Sequence, residues 1–193
     1  MTTLRAQQRL DAMRRIQRIA VSAFVKRGYE NVRVEEIADQ AGVSPVSIYR
    51  WFGTKEALVL WDEYDPPLFE AITSRLGESA PLAAVRAGLI AELDRMYDAE
   101  RSLVLDRVRL VFAEPAVLAG ALSQQSQMIA ALTELFGAAG VDGTAFDHAV
   151  IAATAVGVLT VCLEAWIERD GVVPLGHLVA EGFDSLERSL CRS

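Results

Sequence analysis

The chain has 193 residues, 52% of them hydrophobic and 23% charged, with a net charge of −7 and a pI near 4.9. That composition is globular and large enough for one or two small domains with a real core. Two distant cysteines, Cys162 and Cys191, exclude a disulfide framework and a cysteine-based metal site.

The opening stretch, "MTTLRAQQRLDAMRRIQ", is polar and arginine-rich, without the apolar centre of a secretory signal. A cytoplasmic protein is expected. No strand alternation persists anywhere, and apolar spacings of three and four dominate, so the fold class is all-α. The first helix is expected over about Leu4–Arg27, with Leu10, Met13, Ile16, Ala20, Ala23 and Phe24 on one face. Lys26, Arg27 and Gly28 suit its C-terminal end. A second helix follows over about Val34–Gln40, its start either capped by Asn31 or weakly capped. A third covers Pro45–Phe52, with Ser44 as cap and Pro45 in the first turn.

A fourth helix is expected from near Thr54, stopped or kinked early by "DEYDPP". Longer helices are predicted near Pro66–Leu76, Pro81–Ala99, Arg101–Phe112, Ala116–Phe136, Ala145–Glu168 and Leu175–Leu190. "GAAGVDG" reads as a plain turn, because no Lys-Ser/Thr follows it and no strand precedes it. The uncharged apolar stretch "AVIAATAVGVLTVCL" is shorter than the roughly 18–20 residues needed to span a bilayer.

The charge is unevenly spread. Residues 1–60 hold ten Lys/Arg against six Asp/Glu, while residues 61–193 hold nine against twenty. A basic head on an acidic body points to polyanion binding by one end only. Within the head, "QAGVS" joins two short helices, which makes a helix-turn-helix candidate. Burying Ile48 and Phe52 turns Val46, Ser47 and Arg50 outward. Arginine reads guanine through two acceptors, serine reads either a donor or an acceptor, and a valine methyl meets a thymine methyl. Tyr49, Trp51 and Lys55 flank that face as candidate phosphate contacts, and Thr54 opens the next helix beside them.

"VEEIADQAGVSPVSIYRWFGTKEAL", Val34 to Leu58, resembles the DNA-binding segment of the tetracycline-repressor (TetR) family. The matching positions are Ile37-Ala38, Ala41-Gly42-Val43-Ser44, Tyr49, Phe52 and Lys55. Val32-Arg33 stand where the family often carries a threonine cap, Val46 where it has a small residue, and Trp51 where histidine is common. The resemblance implies a helix-turn-helix DNA-binding domain over residues 1–55. Residues 56–193 then form a helical ligand-binding and dimerisation domain. It implies a bacterial homodimeric repressor on a palindromic double-stranded operator, with DNA contacts from Arg33, Ser44, Pro45, Val46, Ser47, Tyr49, Arg50, Trp51, Thr54 and Lys55.

The last two helices would form the dimer bundle, with Ala149, Ala152, Ala153, Ala155 and Gly157 allowing close approach. The body would enclose an apolar site for an inducer, with Trp61, Tyr64, Met96, Arg109, Phe112, Met128, Cys162 and Trp166 as candidate lining. One of Arg107 and Arg109 is expected to pair with Asp106 or Glu114, or to meet an acidic ligand. "RVRLVFAEPAVLAGAL" resembles a subgroup that includes regulators of mycofactocin genes, which implies acyl-CoA-like ligands. No metal, cofactor or membrane partner is expected. His148 and His177 lack ligand-spaced partners, and no HExxH, GxSxG or P-loop argues for an enzyme. The alternative is an all-α small-molecule binding protein without DNA function.

Overall fold

The computed structural model describes residues 4–62 and 65–191, without the side chains of residues 65–66 and 96–99. All regular structure among them is helical, in the order α1 (Leu4–Arg27), α2 (Val34–Ala41), α3 (Pro45–Phe52), α4 (Ala57–Leu60), α5 (Asp65–Thr73), α6 (Pro81–Ala113), α7 (Pro115–Ala138), α8 (Ala145–Glu168) and α9 (Leu175–Leu190). Two compact units result. One is Met1–Trp61 with Ser102–Leu122, and the other is Asp62–Arg101 with Ser123–Ser193.

The first unit is built on the apolar face of α1. Ile16, Ala20, Val21 and Phe24 pack with Ile37, Ala38, Ile48, Leu58 and Val59 from the three short helices. Each large side chain removed from water in this way contributes about 1.5–3 kcal/mol before entropy is counted. Leu110 of α6 and Val117 of α7 belong to the same core, so the turn between these two long helices is part of the head. At Gly120, an added Cβ would lie 2.6 Å from Leu60 Cδ1, so α7 meets α4 closely there and a larger residue requires the Leu60 side chain to move.

Local chemistry sets the helix ends. The Arg33 amide donates to the Glu36 carboxylate, which makes Arg33 the N-terminal boundary of α2. Asn31 instead donates its side-chain amide to the Arg27 carbonyl, so it closes the end of α1 and does not cap α2. Gly42 ends α2 at φ 67°, in the left-handed region, and its neighbour Val43 donates back to Ala38. Ser44 Oγ accepts the Ser47 amide and Pro45 fills the first turn of α3, as the sequence predicts. The fourth helix is a single turn beginning at Ala57, later than expected. Thr54 Oγ1 accepts the Ala57 amide, and Trp61 leaves helical geometry at ψ 125°. The break therefore precedes Pro66-Pro67, which lie in the first turn of α5.

The two helices expected over Pro81–Ala99 and Arg101–Phe112 run end to end as α6, with the break between them at Glu100 (φ −140°, ψ 18°), as the sequence predicts. The boundary between the compact units falls at this interruption. In the second unit, Thr144 and Asp147 form a reciprocal capping box that starts α8. The helices α8 and α9 then pack together along their length. Gly182 of α9 lies so close that an added Cβ would sit 2.7 Å from Cys162 Sγ. Arg86 of α6 pairs with Asp184 of α9 at 2.5 Å.

Candidate nucleic-acid interface and body sites

The outward face of α3 follows from burial of its other side. Ile48 is 1% exposed, while Val46 is 72% and Tyr49 47% exposed. Arg50 is exposed one turn beyond Val46, so the two share a face. Ser44 is exposed and Pro45 and Ser47 are half-buried, grouped at the N-terminal turn. The two serine hydroxyls lie 3.0 Å apart. Arg33, at the start of α2, and Thr54, before α4, are exposed as well. A shallow groove of about 430 Å³ between α1 and α2 adds Arg18, Lys26 and Arg27 to the positive surface of the head.

Two of the expected phosphate contacts have internal work. Trp51 is half-buried against the head core, and the Arg50 guanidinium lies 5.9 Å from its ring centroid. Its spacing from Ile48, three residues, was the sign that it shares the core face. Lys55 Nζ donates to the Tyr29 carbonyl at 2.7 Å and lies 4.1 Å from the Tyr29 ring centroid. The Tyr29 hydroxyl in turn donates to Glu56 at 3.1 Å. Burial, then the Glu56 charge, pushes the Tyr29 phenol well above its ordinary range. The Glu56 carboxyl is held below its usual range by its own backbone amide, then by hydrogen bonds from Thr54 and Tyr29, against the opposing effect of burial.

Lys55→Ala is therefore expected to lower the unfolding free energy by about 1–2 kcal/mol, through loss of a charged hydrogen bond and a cation–π contact. A urea titration reads this directly. An unchanged midpoint would leave Lys55 with a purely external role.

The candidate body residues are divided between the two compact units. Trp61, Arg109 and Phe112 fall in the first compact unit, and Met128, Cys162 and Trp166 in the second. The Trp61 ring stands edge-on to Phe52, with centroids 5.9 Å apart. Arg109 pairs with Asp106 on its own helix at 3.9 Å. The Arg107 guanidinium donates to the Val59 and Trp61 carbonyls. Gln17, a buried polar residue on the apolar face of α1, donates to the same two carbonyls. Both contacts escaped sequence reasoning, although a glutamine among the core positions of α1 was a visible signal.

Cys162 and Trp166 are packing residues of the α8–α9 seam. Cys162 Sγ donates to the Leu178 carbonyl at 3.3 Å, and Trp166 Nε1 donates to Val173 at 2.9 Å. Burial raises the Cys162 thiol above its ordinary range. Phe112 and Met128 are half-buried. Tyr64 and the Met96 side chain lie outside the described residues.

One side of α8 is buried: His148 lies against the Phe136 ring of α7 and the Val141 carbonyl, Ala152 and Ala155 follow it, and Cys162 and Trp166 lie in the seam. The opposite side carries Phe146, Val150, Ala153, Gly157 and Val161, all exposed. Of the small residues expected to allow close approach, Ala152 and Ala155 thus face inward, and Ala153 and Gly157 outward. This helix runs well past its uncharged stretch and is long and apolar enough, by length and composition, to cross a bilayer. Its inner side is nevertheless committed to α9, with Trp166 and Cys162 bonded into the seam.

The pattern of the tetR family of bacterial regulatory proteins matches residues 16–60, and that of the MftR C-terminal domain matches residues 79–191, more than half of the chain. The chain belongs to the tetR family. It is a transcriptional regulator with a helix-turn-helix head and an MftR-type helical C-terminal domain. The regulator TcmR of Streptomyces glaucescens is 31% identical over 128 residues, which cover 63% of this chain and 57% of TcmR. A putative mycofactocin biosynthesis regulator, MftR of Mycobacterium tuberculosis, is 24% identical over 92% of this chain and 90% of its own length. The structure of the tetR-family repressor FadR from Thermus thermophilus, solved with lauroyl-CoA, superposes with a TM-score of 0.57 at 19% identity, covering 89% of this chain and 91% of FadR. That likeness concerns the fold.

Proposed function

We propose that this regulator is a cytoplasmic repressor that binds a palindromic double-stranded operator as a homodimer and leaves it when a small apolar or amphipathic ligand binds the body. DNA contacts are assigned to residues 1–55, and ligand binding and dimerisation to residues 56–193, of which 56–61 and 102–122 also complete the core of the DNA-binding unit. The observation that carries the reading is the outward face of α3. A helix held by buried Ile48 presents Val46 and Arg50 to a groove, with Ser47 at its first turn and Tyr49 beside them. Arg33, Ser44, Pro45 and Thr54 cluster at helix starts, where backbone amides and hydroxyls meet phosphates. Trp51 and Lys55 complete this set from its inner edge, anchored in the head.

Dimerisation is assigned to α8 and α9, through the exposed apolar stripe of α8. A two-fold interface places that stripe against its own copy, and matching symmetry in the operator follows. An all-α binding protein without DNA function would have no use for the outward Arg50 on a basic head.

The inducer class follows the resemblance to the mycofactocin-regulator subgroup: an acyl chain on a charged carrier, with lauroyl-CoA, the molecule bound in the FadR structure, as the probe. The test has two steps. In a mobility-shift assay, the protein should retard duplexes from the region beside its own gene at moderate salt and spare random duplexes. Lauroyl-CoA at micromolar concentration should then release the shifted complex. No specific shift at any salt concentration would sink the repressor reading. A shift that survives acyl-CoA thioesters of every chain length would sink only the inducer class.

A further inference from the structure

The single turn of α4 leaves its last carbonyls without partners in the helix. Two of these, on Val59 and Trp61, are claimed by side chains from two other helices. Gln17 of α1 donates to Val59 at 3.4 Å and to Trp61 at 2.8 Å. Arg107 of α6 donates through Nε to Val59 at 3.0 Å and through Nη2 to Trp61 at 2.9 Å. A carbonyl oxygen has two lone pairs, so each can accept both donors. The guanidinium is a rigid fork, and two bonds from one fork fix the spacing and direction of both carbonyls.

Beyond the clamp lies a direct contact with the recognition helix. The ring of Trp61 stands at 84° to that of Phe52, the last residue of α3, with centroids 5.9 Å apart. We infer that Arg107 is a positioning residue for sequence-specific DNA binding: it clamps the end of α4, the clamp fixes Trp61, and the Trp61 ring fixes the C-terminal end of α3. The inference rests on the reading of α3 as the base-facing helix. It gives a residue of α6, far from the head in sequence, a part in base recognition without contact with DNA. Arg50, in the last turn of α3, is the base-facing side chain closest in sequence to Phe52, and it is the one whose aim the clamp controls.

The distinction from a merely structural role lies in the ratio of two affinities. Bidentate base contacts demand aim, whereas contacts to phosphates tolerate a small rotation of the helix. The experiment uses full-length wild type, Arg107→Leu, Arg107→Lys and Trp61→Leu. Fluorescence anisotropy is recorded on an operator duplex selected with the wild type and on a random duplex of equal length. Arg107→Leu is expected to weaken operator binding about tenfold or more while changing random-duplex binding less than about twofold, with the same salt slope. Arg107→Lys, which keeps one donor in reach, should lie between it and the wild type. Trp61→Leu should reproduce the selective loss.

Equal weakening on both duplexes, or an unchanged ratio, would overturn the inference. So would a normal ratio in Trp61→Leu, because the proposed route passes through that ring. If Arg107→Leu does not fold, Arg107→Lys and Trp61→Leu decide the matter by the same ratio. A wild type that prefers no duplex at all would instead remove the reading of α3 on which the inference rests, and it would do so before any variant is made.

Discussion

Gly157→Arg is expected to convert the dimer into folded monomers and to abolish operator binding at nanomolar protein. Gly157 lies on the exposed stripe of α8, and an added Cβ would have no atom within 4 Å in the protomer. The substitution therefore costs the protomer no packing, and replacing a mid-helix glycine gains about 0.8–1 kcal/mol of helix propensity. In the dimer the same side chain places a charge inside an apolar seam. An unpaired buried charge costs about 3–5 kcal/mol, and the two-fold axis applies the cost twice. Even the lower figure amounts to more than about 10⁴-fold in the dimer dissociation constant. Light scattering with circular dichroism separates the two effects: halved mass with undiminished helical signal is expected. A dimer mass at micromolar concentration would place the interface away from this stripe.

Arg50→Ala should relax operator preference at one base pair per half-site, by about 1–3 kcal/mol, or roughly 10- to 100-fold. Arg50 is exposed at the C-terminal turn of α3, and its guanidinium rests near the Trp51 ring. At an exposed site such a cation–π contact is worth about 0.5–1 kcal/mol, so leaving the ring to meet a base costs less than a bidentate base contact returns. The ring also limits the rotamers available to the free arginine, so part of the ordering cost is met before DNA arrives. Selection from a library of randomised half-sites measures the effect. The variant should yield a motif with one degenerate column and the remaining columns intact. An unaltered motif would take Arg50 out of the base-reading set.

The head was legible because its signals are local. Ser44, Pro45 and Gly42 fix helix ends through contacts within a few residues, and Ile48 is placed by helical spacing alone. What escaped depended on partners distant in the chain. Nothing near Lys55 reveals that its ammonium turns to the Tyr29 carbonyl, or near Arg107 that its guanidinium reaches the end of α4. Periodicity gives a residue its face but does not name what lies opposite. Trp51 carries two signals at once: its place beside Ile48 argued for the core, and its aromatic chemistry for phosphates. In the body, both sides of α8 are apolar, so no pattern could say which side meets α9 and which remains open. Capping by Asn31 failed on a simpler competition, since the Arg27 carbonyl lies within reach of its amide.

The head core closes only with Leu110 and Val117, and α4 is held in part by Arg107. The unit that recognises DNA is therefore discontinuous in the chain. Chimaeras that exchange residues 1–61 between two such regulators would set a foreign α4 against a resident Arg107, Leu110 and Gly120. Operator preference should travel intact only when Ser102–Leu122 travels with it. Drift in those distant residues would then retune which promoters a regulator occupies, with every base-contacting side chain unchanged.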